Sequence, residues 1–466
     1  MRRTVTAVTG AALLAGCVSF TEDGGFGPVK DAVKARTGQE AVWARTQDET
    51  QTVRTRVSEL LAKPLTAESA VQIALLNSPA LQASYAELGI AEADLVQASR
   101  WSGPVFSFGR LRRGDETEYE RSVFFNVLGL ITIPLATKAE EKRFETAKAR
   151  AAGEALRLAL DARKAFFMAV AAEEGERYMR QVKLAAEASA DLARRMAVAG
   201  NWPKLNQARE QVFYAEATAQ LARVQQARVS ARERLARLMG LWGDQLAFRL
   251  PERMPDLPKT TRDAGDLEAQ ALAQRLDVQG SRRESEMLAA SLGLTRVSRF
   301  VNLLELGFIH NTEAPNPAQK GWEVELRVPI FDLGGARIAR GESAYLQSVN
   351  RMTDTAIRAR SEVRESYAAY RTAHDLARHY RDEIVPLRKR ISEEMLLRYN
   401  GMLSSVFELL ADSRDAVMSV NAYIEALRDF WIAESDLQAA LTSGSPGTVG
   451  GGSKAMALPA GGGAAH

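Results

Sequence analysis

The chain has 466 residues, 46% hydrophobic, 26% charged and only 7% aromatic, and Ala, Arg, Glu and Leu dominate long stretches, a composition of extended helices rather than of a disordered chain. Lys and Arg number 61 against 58 Asp and Glu, a formal net charge of +3, which speaks against a nucleic-acid partner because so near-neutral a chain offers little basic excess to meet its phosphates. Cys17 is the only cysteine, so intramolecular disulfides, cysteine zinc sites and iron–sulfur clusters are excluded.

Residues 1–16 predict a secretory signal peptide: Arg2 and Arg3, a short apolar run from Val5 to Leu14, then small residues. The run is too short to span a bilayer as a helix. Leu14-Ala15-Gly16-Cys17 resembles a bacterial lipobox, which implies that Cys17 is lipidated and becomes the new N-terminus. Val18, standing where an acidic residue could, then favours the outer membrane. Residues 17–64 are mixed and polar and are expected to form a lipid-anchored, extended arm.

A first repeat is expected over 65–250. Its strand hairpin is predicted at about 103–135: Phe106 and Phe108 mark one strand, while Val123, Phe125, Val127, Ile131 and Ile133 alternate with Ser122, Asn126 and Thr132 in the next, closed by Pro134. From Thr137 to Ala199 no proline intervenes. A helix of that span would reach about 95 Å and must pack along other long helices. Gly200, with Asn201 and Pro203, predicts a helix turn at about 200–204, from which a second helix returns through Leu205. A connector is expected at 251–265.

The second repeat, over 266–441, restates the plan with a strand hairpin at about 299–331. Leu304, Leu306 and Phe308 alternate with Glu305 and Gly307. Trp322, Val324, Leu326, Val328 and Ile330 alternate with Glu323, Glu325, Arg327 and Pro329. Such period-two patterning sets an apolar row against lipid or a core and a charged row against water. Val349, Ala356, Val363, Tyr370, Ala377 and Ile384 recur every seven residues, with Met352, Ala359, Ser366, Ala373, Tyr380 and Leu387 as a companion series, a seam of mostly small residues for close helix packing. Pro386 is expected to kink this helix. Gly401 predicts a turn at about 400–404 in a positive-φ conformation, followed by Val406. The glycine-rich stretch 442–466 predicts a disordered tail. Trp101 and Phe300, Pro134 and Pro329, Gly200 and Gly401, and Leu205 and Val406 are each separated by about two hundred residues, which argues for a tandem repeat. Four strands cannot close a barrel, and an open sheet edge is not viable in lipid. Spanning a membrane would require two chains pooling eight strands or three pooling twelve; the alternative is a soluble two-hairpin sheet.

The segment 65–95, with its core Ala74-Leu75-Leu76-Asn77-Ser78-Pro79, the stretches Leu205-Asn206-Gln207-Ala208-Arg209 and Val406-Phe407-Glu408-Leu409-Leu410 after the two turn glycines, and RVPIFD at 327–332 together resemble the TolC-like outer-membrane efflux family over roughly residues 66–441. The resemblance implies a mainly α fold with a small β part: a duplicated helix–strand–strand–helix repeat, antiparallel coiled-coil helices forming a periplasmic α-barrel, and four strands given to a twelve-stranded outer-membrane β-barrel shared by a homotrimer. It implies a periplasmic adaptor protein and an inner-membrane pump as partners, with Gly200, Asn201, Leu205, Gly401 and Val406 at the periplasmic tip that meets the adaptor. Phe407 and Leu410 stand where some members carry aspartates that narrow the tunnel, and Glu408 is the only acid in Ser404–Leu410, so an entrance constriction at Phe407, Glu408 and Leu410 is expected to be largely apolar.

The sequence holds no GxxxxGK[ST] phosphate loop, no HExxH pair and no GxSxG elbow, so neither enzymatic chemistry nor a cofactor is expected. The expected function is a passive exit duct for small toxic solutes such as drugs or metal ions, fed by a pump and adaptor. The alternatives are the outer-membrane duct of a type I protein or peptide secretion system and, in another class, a lipid-tethered periplasmic coiled-coil scaffold.

Overall fold

The computed structural model describes residues 18–263, 265–297, 303–313, 317–327 and 334–445. Expectations for the signal peptide, Cys17, the segment from Val328 to Asp332 and the tail beyond Ser445 fall outside these residues. About 74% of the described residues are helical. In chain order it runs α1 (Gly27–Thr37), α2 (Gln47–Leu61), α3 (Ala67–Asn77), α4 (Pro79–Ala98), β1 (Val105–Arg113), β2 (Glu116–Asn126), α5 (Val127–Val198) and α6 (Lys204–Leu238). After a short 3-10 turn at Gly243–Ala247 come α7 (Leu267–Gln274), α8 (Leu276–Val297), β3 (Leu303–Glu313), β4 (Gln319–Arg327), α9 (Gly335–His379), a π-turn at Tyr380–Ile384, α10 (Val385–Asn400) and α11 (Val406–Thr442). Each half from α3 onward therefore runs two helices, two strands, a long helix and a returning helix, the duplication read from the landmark spacing.

Two segments differ from the sequence expectation. The arm over 17–64 is not extended, because α1 and α2 lie within it. Thr46 and Glu49 form a capping box, the Thr46 side chain accepting from the Glu49 N–H while the Glu49 side chain accepts from the Thr46 N–H, and Val53 and Val57 bury one face of the helix so started. The first hairpin ends at Asn126 and not near 135. Val127, Ile131, Ile133 and Pro134 belong to α5, whose start is fixed by the Asn126 Oδ1 accepting from the Gly129 N–H at 2.8 Å. The β-branched residues mimic a strand, but the Asx cap determines the outcome.

The chain divides into two compact units. One comprises 36–79, 155–271 and 359–466. Its core gathers Phe166, Phe167, Leu235, Val363, Tyr370 and Phe430, with Phe167 stacked on Trp431 at 5.1 Å. Each such side chain, fully buried, contributes roughly 1.5–3 kcal/mol. The heptad seam is buried at Ala359, Val363, Ser366, Tyr370 and Ala377. It leaves the core at the π-turn, where the Val385 N–H reaches back to the Tyr380 carbonyl, and Leu387 beyond it is exposed. The break expected at Pro386 takes this form: proline removes a donor and crowds the carbonyl four residues back, and one extra residue in the turn relieves both. Asn77, from the motif at 74–79, donates to the carbonyls of Met239 at 3.0 Å and Gly240 at 2.8 Å. Gly240, at φ 67°, closes α6, and a Cβ there would lie 2.5 Å from the Asn77 carbonyl oxygen, so the approach requires glycine.

The other unit comprises 1–35, 80–154 and 272–358. Val29 and Val33 of α1 are buried with Leu81, Tyr85 and Leu88 of α4, and Phe26 meets Tyr85 edge to face at 4.7 Å. All four strands lie in this unit as one antiparallel sheet in the order β1-β2-β3-β4. The register sets Phe106 opposite Val123, Val123 opposite Phe308 and Phe308 opposite Trp322.

Candidate functional site

Directly opposed residues share a face, so that register draws one transverse row, Phe106–Val123–Phe308–Trp322, across all four strands. Phe125, Leu306 and Val324 form the neighbouring row, and Leu304 and Leu326 the next. In a water-soluble sheet this face would be covered. Here Phe106 is 75% exposed, Phe308 56% and Trp322 73%. Trp101 borders the same face, stacking on Phe125 at 5.8 Å and donating from its indole to the Asn126 carbonyl at 2.8 Å. The opposite face carries Glu118, Glu120, Glu305, Glu323 and Glu325. One sheet thus presents an aromatic surface on one side and a carboxylate surface on the other. Among the described residues β1 and β4 each have one strand neighbour, so both edges keep a row of backbone donors and acceptors for another strand.

The second surface is the pair of helix turns. After α5 the Asn201 N–H donates to the Met196 carbonyl at 3.0 Å and the Gly200 N–H to that of Ala197 at 3.1 Å, a Schellman closure with Gly200 at φ 78°. After α10 the same closure forms, Leu403 N–H to Arg398 at 2.8 Å and Met402 N–H to Tyr399 at 3.0 Å. Its left-handed residue is not the expected Gly401, whose φ is −81°, but Met402 at φ 58°. The closing hydrogen bonds decide which residue turns left-handed, and they place the glycine one position early. The Met402 side chain is 93% exposed, and Leu403, Leu205 and Val198 are also exposed.

The two turns meet. Trp202 stacks on Phe407 with ring centroids 3.6 Å apart and 19° between planes. The Trp202 indole nitrogen is buried and has no hydrogen-bond partner among the described residues. Farther along these helices the Glu210 carboxylate binds both the Ser189 hydroxyl and the Arg414 guanidinium, and Arg414 lies 3.8 Å above the Phe213 ring. Ser392 donates to Asp412 at 2.6 Å. The Trp202–Phe407 stack and the contacts of Arg414 with Glu210 and Phe213 join the α5–α6 hairpin to the α10–α11 hairpin, while Ser189–Glu210 and Ser392–Asp412 each tie the two helices of one hairpin.

Of the residues singled out from sequence, Gly200, Asn201, Gly401 and Val406 lie in the turns or at their exits, and Leu205 is exposed in the first turn of α6. Phe407 is engaged with Trp202, and Leu410 is half-buried. Glu408 belongs to a capping box: its carboxylate accepts from the Ser404 hydroxyl at 2.6 Å and the Ser405 N–H at 2.9 Å, while Ser405 Oγ accepts from the Glu408 N–H. Those hydrogen bonds, the one from Ser404 foremost, hold its carboxyl below the usual carboxylate range. Trp202, Met402 and the Glu210–Arg414 pair were not singled out; a tryptophan inside a polar turn was the available signal.

Among the described residues no cluster of three or more His, Cys, Asp or Glu could hold a metal ion, and no helix is long and apolar enough to cross a membrane. His374 is buried with Nε2 3.1 Å from the Pro258 carbonyl oxygen, and His379 has Nδ1 3.1 Å from a Glu383 carboxylate oxygen.

No protein-family model and no curated protein matches the sequence. Solved structures do. A membrane protein from Pseudomonas aeruginosa superposes with a TM-score of 0.69 at 19% identity, covering 80% of this chain and 93% of that one. The open state of the Neisseria gonorrhoeae MtrE outer membrane channel gives 0.67 at 17% identity, covering 84% and 90%. The outer membrane protein VceC from Vibrio cholerae gives 0.65 at 15% identity, covering 85% and 98%. The chain has the fold of the TolC-like outer-membrane channels.

Proposed function

We propose that this chain is the outer-membrane exit duct of a tripartite efflux system, a homotrimer that passively conducts small toxic solutes delivered by an inner-membrane pump through a periplasmic adaptor. One observation carries the reading: an open four-stranded sheet exposes a continuous aromatic face with carboxylates behind it. Such a face is stable against hydrocarbon, and open edges are viable there only when strands of several copies close a barrel, which for three copies has twelve strands and a carboxylate-lined lumen. In this reading Cys17 carries the lipid anchor. Gly200, Asn201, Leu205, Gly401 and Val406 belong to the end that meets the adaptor, and Phe407, Glu408 and Leu410 lie near its entrance. The exposed Met402 and Leu403 and the unsatisfied Trp202 indole favour a protein partner at the turns.

The test is export. Cells lacking the chain should retain a fluorescent efflux substrate, and the full chain should restore its loss. Leu205→Trp and Met402→Trp should reduce export while the protein still inserts and assembles. Full export by both variants would remove the turns from the mechanism, and unchanged retention in cells lacking the chain would contradict the efflux reading.

A further inference from the structure

The apolar face of the sheet has an asymmetry along the strands. Two residues beyond the aromatic row, toward the hairpin turns, Arg121 stands opposite Phe108 and His310 opposite Lys320. The β2–β3 register that pairs Ser122 with Ile309 and Tyr119 with Thr312 brings Arg121 beside His310. A second transverse row, Phe108–Arg121–His310–Lys320, therefore crosses the sheet about 7 Å above Phe106–Val123–Phe308–Trp322. Arg110 and Tyr119 follow in the next row, and both Arg110 and Arg121 lie over the Tyr119 ring, at 5.8 and 5.9 Å. Arg110, Arg121 and Lys320 are exposed, and among the described residues none pairs with a carboxylate. The glutamates of the sheet occupy the other face, so their charge is not spent on this row.

From the Leu304–Leu326 row to the cationic row the face rises about 20 Å, close to the ~25 Å apolar height of a membrane barrel. Phe108, Arg121 and His310 of this row and, below them, Phe106, Val123 and Phe308 line a shallow concavity of about 460 Å³. Apolar floor, aromatic ring and cationic rim follow one another in the order of an acyl chain, a glycerol or sugar backbone and a phosphate.

We infer that this rim is a binding surface for the phosphorylated headgroup of an anionic membrane lipid, with Arg121 at its centre, Arg110 and Lys320 flanking it, and an acyl chain seated against Phe106 and Phe308. The inference rests on the reading that the aromatic face meets lipid. Water-facing cations at random positions would not form a row bounded below by aromatic side chains and would not lie on the face opposite the carboxylates. A phosphate here gains charge-assisted hydrogen bonds from guanidinium groups at an interface of low polarity, where they are stronger than in bulk water.

The test uses the full-length protein in phosphatidylcholine vesicles containing either brominated-chain phosphatidylglycerol or brominated-chain phosphatidylcholine, at equal mole fraction. Bromine quenches nearby tryptophan, and the Trp322 signal is isolated by subtraction of Trp322→Phe. The anionic lipid should quench Trp322 more than the zwitterionic one, with a relative association constant raised on the order of fivefold per contributing cation. Arg110→Gln/Arg121→Gln/Lys320→Gln should bring the ratio toward one, while Glu120→Gln/Glu323→Gln on the opposite face should leave it unchanged. Lys320→Gln alone, on an edge strand, should lower the ratio several-fold and stands in should the triple variant not insert. Equal quenching by the two lipids, or a ratio unmoved in the cationic variants, overturns the inference and leaves the lipid-facing sheet intact. No quenching by either lipid overturns the lipid-facing sheet itself and the inference with it.

Discussion

The helical core of one unit and the sheet of the other use the same side chains to opposite ends. Phe166, Phe167 and Phe430 are buried among helices, and their rings pack on one another and on Trp431. Phe106, Phe108, Phe308 and Trp322 stand in an equally orderly array and are exposed. The helical core is satisfied within one chain, whereas the sheet leaves its aromatic face exposed and, in the proposed reading, is finished by lipid and by strands of further copies. Aromatic content does not distinguish the two; period does. Apolar residues spaced at three to four can be buried by neighbouring helices, and apolar residues alternating with glutamate set one face against lipid or a core and the other against water; here the proposed reading gives the exposed apolar face to lipid.

The comparison can be broken most forcefully in the core. Phe430→Ala should cost about 3–5 kcal/mol, the ordinary cost of a large core cavity, read as a lower midpoint of helical unfolding in denaturant. A cost near zero would mean that the helices are also held by something outside the chain. On the sheet, Phe308→Arg should cost about 2–4 kcal/mol of insertion stability in vesicles, the cost of a cation on a lipid face near mid-depth. Ile309→Arg, one residue along and pointing to the carboxylate face, should cost under about 1 kcal/mol by that account. Equal costs would erase the distinction between faces.

A smaller contrast separates the two helix turns, which share their hydrogen bonds but not their left-handed residue. Gly200→Ala should cost about 1–2 kcal/mol, because an L side chain is forced to positive φ. Met402→Gly should instead gain up to about 1 kcal/mol, relieving that strain while adding backbone freedom to the unfolded chain. Both are read from amide hydrogen exchange at the ends of α5 and α10. If Met402→Gly stabilises the turn yet lowers export, the exposed methionine is kept for contact rather than for folding.

Much of this was legible in the sequence. The tandem repeat, the β3–β4 alternation and the heptad seam are periodic signals, and periodicity survives without a structure. Val127–Pro134 misled because β-branched residues alternate there, while the determinant was a single side-chain cap from Asn126. The helices of the N-terminal arm were missed although Thr46 and Glu49 carried a capping box, because so short a signal lies in a polar stretch. The left-handed position fell at Met402 because a glycine marks a turn only to within a residue, and the hydrogen bonds choose within it. The Trp202–Phe407 stack was not legible at all, since it requires knowing that two distant hairpins lie side by side.

The central claim is that β1 of one copy pairs with β4 of the next until three copies close a barrel. It is tested by disulfide capture in membranes, in a Cys17→Ser background, with Ser107→Cys or Gly109→Cys in β1 combined with Gly321→Cys or Glu323→Cys in β4. At least one combination should yield a covalently closed three-chain species that survives boiling without reductant and collapses to single chains with it. Capture that ends at two chains, or monomers alone from every combination while the protein is membrane-inserted, would contradict the account.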